Sequence, residues 1–227
     1  MRRRLGLLAV AAIGAGLAWW AAPPRPPQTP ADIPLARPLP EGALRVTTFG
    51  TSLTARYDWP AGLQAALAAC LGRPVTVTPV ARPGAGSAWA LTQLDTVAAT
   101  APDLILVEFA INDADLRDGV PLARAKAQHQ SLISALRAAA PGAQIALMTM
   151  NPASGARGLA RPWLAAHYLA YRDLAAEQGT GLIDLWPRWL ALPETARGLQ
   201  ADGLHPDPAV AAGVIVPAVA GYLAPGC

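Results

Sequence analysis

The stretch Leu44-Arg45-Val46-Thr47-Thr48-Phe49-Gly50-Thr51-Ser52-Leu53-Thr54 decides the fold. Leu44–Phe49 is a short apolar run of strand length, and it stops at Gly50, a residue that permits a sharp turn. Four further runs repeat the pattern: Val75–Val80, Leu104–Phe109, Ile145–Thr149 and Gly181–Leu185. Gly72, Pro74, Pro102, Pro141 and Gly142 precede several of them as turn residues. Longer segments rich in Ala, Leu and Arg lie between: Trp59–Leu71, Ala88–Ala98, Pro121–Ala139 and Arg161–Gln178. Pro208–Leu223 closes the chain. These read as helices, with Pro121, Pro162 and Pro208 near first-turn positions. Five apolar strands alternating with helices predict an α/β fold whose parallel sheet is covered on both faces. Ligand sites in such sheets lie beyond the carboxyl ends of the strands, so reactive residues should fall just after strands.

The chain has 227 residues, 53% of them hydrophobic and 15% charged, which suits a packed core and excludes a disordered chain. The formal net charge is +3, and Arg2, Arg3 and Arg4 account for all of it. The isoelectric point of about 9.2 therefore reports mainly that tail. A balanced body without a basic stripe offers no footprint for nucleic acid. Cys70 and Cys227 form no CxxC pair and no metal-ligand spacing with the histidines, so no metal is expected. A disulfide between them and a pair of free thiols both stay open, because spacing alone does not place their Cα atoms.

Arg2–Arg4 precede an uncharged run from Leu5 to Ala22, with Trp19 and Trp20 at its far end. Positive residues ahead of an apolar core form the pattern of a secretory signal, and the length also reaches the short end of a membrane span. Residues 1–22 are thus expected to be either a cleaved signal peptide or a retained anchor, the only membrane contact foreseen. Both alternatives put the body outside the cytoplasm, periplasmic or secreted. Eight prolines between Pro23 and Pro40 make residues 23–43 an extended linker, and the folded domain is expected over residues 44–227.

Of the three histidines, His129 and His167 sit mid-helix and are expected to be surface or boundary residues. His205 differs: it lies in the turn-rich Asp202-Gly203-Leu204-His205-Pro206-Asp207-Pro208. Asp202, three residues before it, is close enough in a turn to fix the imidazole tautomer and leave Nε2 free as a base. Ser52 follows the first strand, where Gly50 can lift its hydroxyl above the sheet edge; a helix cap is the bland alternative. The second strand leads into Arg82-Pro83-Gly84-Ala85-Gly86-Ser87, and the third into Ala110-Ile111-Asn112-Asp113. A backbone N–H at Gly84 and the Asn112 amide can both donate to a developing oxyanion. A dinucleotide fingerprint is rejected, because the third glycine position is Trp89.

In this order the segments resemble the blocks of the SGNH (GDSL-type) hydrolase superfamily, from about Val46 to Pro208. The resemblance implies a three-layer α/β/α sandwich with a five-stranded flavodoxin-like sheet and ester hydrolysis without metal or cofactor. It implies Ser52 as nucleophile, Asp202 and His205 as its partners, and Ser52, Gly84 and Asn112 as the oxyanion hole. Gly86 competes with Gly84 for that role. Thr51 stands where the family usually has Asp, which should alter how the turn is held. Ala110 stands where it usually has Gly, and its methyl is expected to narrow the pocket near Asn112. Asp184 reads as a structural loop residue, since Asp202 has the better spacing to His205. The implied activity is that of a serine esterase acting on lipid or small acyl esters. Alternatives are an extracytoplasmic glycan O-acetylesterase, an acyltransferase, or a non-catalytic glycan-binding surface module. Trp89, Trp163, Trp186 and Trp189 are expected in the core rather than in a substrate site. Oligomeric state is not legible.

Overall fold

The structure, a computed structural model, describes residues 24–118 and 120–227. The expected signal or anchor, residues 1–22, lies outside the described residues. Five strands, β1 (Leu44–Gly50), β2 (Val75–Ala81), β3 (Leu104–Glu108), β4 (Gln144–Thr149) and β5 (Gly181–Asp184), form one parallel sheet. Their order is β2-β1-β3-β4-β5, so the direction of winding switches between β1 and β3. Gly50, the last residue of β1, is paired with Ala81 on one side and Glu108 on the other. The three loops that leave β1, β2 and β3 therefore meet at the switch, where open α/β sheets bind ligands.

Ten α-helices and one 3-10 turn (Glu194–Ala196) complete the described chain: α1 (Ser52–Ala55), α2 (Trp59–Leu71), α3 (Ser87–Ala90), α4 (Leu94–Ala99) and α5 (Ala110–Asp113), then α6 (Leu122–Ala139), α7 (Gly155–Leu159), α8 (Leu164–Gln178), α9 (Leu185–Ala191) and α10 (Pro208–Leu223). On one face α2 packs on β2 and on α10, while α6 and α8 pack together on the other and α8 lies on β4 and β5. The three layers and the flavodoxin-like strand order match the expectation. The expected helix Ala88–Ala98 is two short ones, α3 and α4, interrupted at residues 91–93. Glycine ends α2 and α8: Gly72 (φ 61°) and Gly179 (φ 60°) adopt the left-handed conformation, and each N–H closes on a carbonyl of the last turn. At the other end of a helix, the Asp207 side chain accepts the N–H groups of Ala209 and Val210 ahead of Pro208, the first residue of α10.

Every residue of β3 and β4 is buried, as strands covered on both faces must be. Phe49 stacks edge-on against Phe109 at 4.9 Å between ring centres, and Trp89 packs beside both. Trp186 and Trp189 are buried as expected; Trp163 is not, and stands 36% exposed at the surface. His129 and His167 also depart from expectation. Both are buried, because α6 and α8 turn these positions toward each other rather than outward.

Two features cover the outer edge of β5 and the amino-terminal end of the sheet. The proline-rich segment has no helix, but it is fixed to the body. Ile33 exchanges both backbone hydrogen bonds with Leu182 of β5, Arg37 N–H donates to the Gln144 side chain, and Arg73 donates to the carbonyls of Pro40 and Gly42. Cys70 and Cys227 are joined in a disulfide with Cα atoms 5.7 Å apart, tying the end of α2 to the chain beyond α10. That settles the pairing left open by spacing.

Candidate active site

Gly50 is the last residue of β1, and the adjacent strand β3 leaves no room there for a side chain. A Cβ there would lie 2.0 Å from Glu108 Oε1. The Glu108 carboxylate fills that space and organises the turn: it accepts Thr51 N–H at 2.5 Å, the Thr51 hydroxyl at 2.9 Å and the Thr54 hydroxyl at 2.8 Å. Thr51 Oγ1 in turn accepts Leu53 N–H and starts α1. Ser52 is thereby held at the first residue of a short helix, 5% exposed, with its hydroxyl at the carboxyl end of β1. At the position where the resemblance leads one to expect Asp, Thr51 binds the buried Glu108 through both its N–H and its hydroxyl. A neutral hydroxyl faces the buried carboxylate, where an acid would set two carboxyls against each other.

Burial is the largest influence on Glu108 and pushes its carboxyl up; the Thr51 N–H and the Thr54 and Thr51 hydroxyls pull it back, leaving it at about 7. Sequence reasoning missed Glu108. Its signal was a lone charged residue at the end of the apolar run Leu104–Phe109.

His205 reaches Ser52 from the other side of the sheet edge. Its Nε2 lies 2.9 Å from Ser52 Oγ, and its Nδ1 lies 2.5 Å from Asp202 Oδ2. Asp202 Oδ1 also accepts the N–H groups of Leu204 and His205 at 2.9 and 3.0 Å. Burial alone would raise the Asp202 carboxyl, but these N–H groups and the imidazole outweigh it and hold the group at about 2. The loop closes through Gly203, whose φ of +71° and close approach to the Ser154 carbonyl exclude a side chain. Asn151 Nδ2 donates to Leu204 O, Ser154 N–H to Gly203 O, and Tyr57 OH to Pro206 O. Asp184 stands apart. It accepts from Thr149 Oγ1 and Ala31 N–H and pairs with Arg172, a structural role as expected.

Asn112 sits on α5, directly after β3 and Phe109. Its Nδ2 donates to Ala85 O at 2.9 Å, and Arg161 Nη2 lies 3.5 Å from its Oδ1. Those contacts orient the amide, and Asn112 lines the same groove as Ser52. Arg161 is buried, donates to Ile111 O at 2.8 Å, and pairs with Asp115 at 2.8 Å. Arg117 hydrogen-bonded to Asp115 holds that carboxyl down at about 2, against its burial. Gly84, at φ +75°, lines the groove with Ser52, Asn112 and His205. Gly86 does not line it; a Cβ there would lie 2.4 Å from Asp113 Oδ1, which also caps Ser87 N–H. Ala110 does not narrow this groove either. It is buried behind it, and its N–H donates to the Tyr171 hydroxyl, which also accepts Phe109 N–H and lies 2.8 Å from His129 Nε2. That buried network is what His129 does instead of lying at the surface, and burial lowers its pKa.

The groove over Ser52 measures about 220 Å³ and is bordered by Arg56, Arg117, Arg157 and Arg161 as well as by Asp115 and Asp118. Among the described residues, no cluster of His, Cys, Asp and Glu is arranged to hold a metal ion. The five residues singled out from sequence thus lie together at the sheet switch, and three of them follow β1, β2 and β3 directly.

The sequence profile of the GDSL-like lipase/acylhydrolase family matches residues 47–212, a span that takes in all five. The chain belongs to the GDSL-like lipase/acylhydrolase family. Solved structures of similar shape include a lipase/acylhydrolase from Enterococcus faecalis, 25% identical, with a TM-score of 0.68 over 80% of this chain and 98% of that one. An acetylxylan esterase from Geobacillus stearothermophilus, 19% identical, superposes with a TM-score of 0.68 over 81% of this chain and 96% of that one. A peptidoglycan O-acetylesterase, 12% identical, gives 0.67 over 82% and 93%. No curated protein matches the chain. As a GDSL-like hydrolase the protein acts on ester bonds, and its α/β sandwich is the family's.

Proposed function

We propose that this hydrolase cleaves carboxylic esters through an acyl-enzyme on Ser52, outside the cytoplasm. The observation that carries the reading is the relay Ser52 Oγ–His205 Nε2 at 2.9 Å and His205 Nδ1–Asp202 Oδ2 at 2.5 Å. With the Nδ1 proton committed to Asp202, Nε2 accepts the Ser52 proton as Oγ attacks the ester carbonyl. Asp202 stabilises the imidazolium so formed. The Ser52 and Gly84 N–H groups and Asn112 Nδ2 take the oxyanion. His205 returns its proton to the departing alcohol, and water then enters along the same path to release the acid.

Extracytoplasmic residence is supported by the apolar run behind Arg2–Arg4 and by the Cys70–Cys227 disulfide, a bond that persists in oxidising compartments. Acetylated glycans are substrates named for relatives of the same fold, and the narrow groove suits small acyl groups as well as the end of a longer chain.

The test is turnover of p-nitrophenyl esters from acetyl to long acyl chains by the full chain and by Ser52→Ala. Ser52-dependent release is expected, and its chain-length profile separates acetyl from lipid esters. A folded protein idle on every ester would sink the esterase reading and favour a transferase with its own donor or a binding module.

A further inference from the structure

Among the described residues three large apolar side chains stand exposed: Leu116 at 60%, Leu159 at 81% and Trp163 at 36%. They share one rim. Leu116 N–H donates to Ala160 O at 2.8 Å, which sets the loop after α5 against the end of α7. Leu116 and Trp163 together line a cavity of about 410 Å³ whose walls include Val120, Leu122 and His167, and Asp115 borders both that cavity and the groove over Ser52. Cations stand beside the apolar groups. Arg56 and Arg157 border the groove with no carboxylate partner among the described residues, and Arg117 stays 61% exposed while paired with Asp115. Asp115, Asp118 and Asp202 are the carboxylates among them, and Asp115 and Asp202 are already engaged by Arg161 and Arg117 and by His205.

The course of the chain is an independent observation. Ala31 N–H donates to Asp184 at the carboxyl end of β5, Ile33 pairs with Leu182, and Arg37 reaches Gln144 at the start of β4. The strap therefore descends from the end of the sheet that carries Ser52. The sequence that precedes it is the apolar run Leu5–Ala22 behind three arginines.

We infer that this rim docks on an anionic phospholipid bilayer and that the ester cleaved at Ser52 is drawn from that surface. The inference rests on the esterase reading above. Leu116, Leu159 and Trp163 enter the interfacial layer, where aromatic and aliphatic side chains gain most, while Arg56, Arg117 and Arg157 meet lipid phosphates. Clustered exposed apolar groups of this kind mark interaction surfaces, whereas scattered ones do not. A second copy of the chain fits less well. A two-fold contact would crowd Arg56, Arg117 and Arg157 of both copies into one interface.

Both native cysteines are in the disulfide, so a single new thiol can carry an environment-sensitive fluorophore. The full chain is reconstituted in phosphatidylcholine–phosphatidylglycerol vesicles containing nitroxide lipids, labelled through Leu159→Cys or, at the opposite end of the sheet, Gly142→Cys. The label at position 159 should shift to the blue and be quenched, and the label at 142 should do neither. Equal, unquenched emission from both positions would overturn the docking surface, as would a disulfide-linked dimer through position 159. Leu159→Glu should leave p-nitrophenyl acetate turnover unchanged and lower hydrolysis of a vesicle-embedded ester roughly tenfold; equal loss on both substrates would count against the proposal. Quenching at 159 in a protein without Ser52-dependent turnover would keep the surface and sink the esterase reading alone.

Discussion

The two halves of the catalytic relay are built in opposite ways. The nucleophile turn is buried and held from afar: Glu108, on the neighbouring strand and 57 residues from Thr51, takes one backbone and two hydroxyl donors and leaves Gly50 no room for a side chain. The acid–base loop is partly exposed and mostly self-made. Asp202 bonds to residues two and three positions away, Gln200 N–H closes on His205 O, and Leu199 pairs with Pro206. The fixed half sets where attack occurs, and the local half sets the proton. Such a division keeps the nucleophile in register even when the loop relaxes, because nothing in the Glu108 cage depends on His205.

Substitutions can break that division in order of size. Ser52→Ala removes the attacking atom and should cost on the order of 10⁶ in kcat. Asp202→Asn keeps the loop but favours the wrong imidazole tautomer, with a loss of about 10⁴ in kcat and little change in thermal stability. Asn112→Ala touches neither half and should cost roughly 10²–10³ in kcat at nearly constant KM. If Asn112→Ala matched Ser52→Ala, the amide would be holding the turn instead of the oxyanion.

The smallest effect sharpens the comparison most, because it isolates the cage. The folded Glu108 carboxyl sits near pH 7, above its unfolded value, so the native state binds the extra proton. Stability should therefore fall as pH rises from about 4.5 to about 7 and level off beyond, by roughly 3 kcal/mol from this group alone. Glu108→Gln should flatten that slope in urea melts at pH 5 and pH 8. An unchanged slope would show that Glu108 stays ionised throughout.

The same division explains what could be read from sequence. Asp202 and His205 are three residues apart in a turn, so their pairing is local and visible. Ser52, Gly84 and Asn112 were legible because each follows an apolar strand, and topology gathers such positions. Glu108 was not. Its partners come from another strand, and a charge in a buried run looks like an edge until register places it against Gly50. Arg161 was hidden for the same reason, since its bonds to Ile111, Asn112 and Asp115 cross from one loop to another. The burial of His129 and His167 depends on how α6 meets α8, which no spacing within either helix reveals.

The strap at Ile33 also bears on how the molecule can be handled. By exchanging two hydrogen bonds with Leu182 it blunts the outer border of β5, which would otherwise offer free donors and acceptors to any passing strand. A chain trimmed to begin at Leu44 would keep every catalytic residue and lose that cover. Its first failure would be neither chemical nor local; it would be self-association along β5, with catalysis declining only as the population leaves solution.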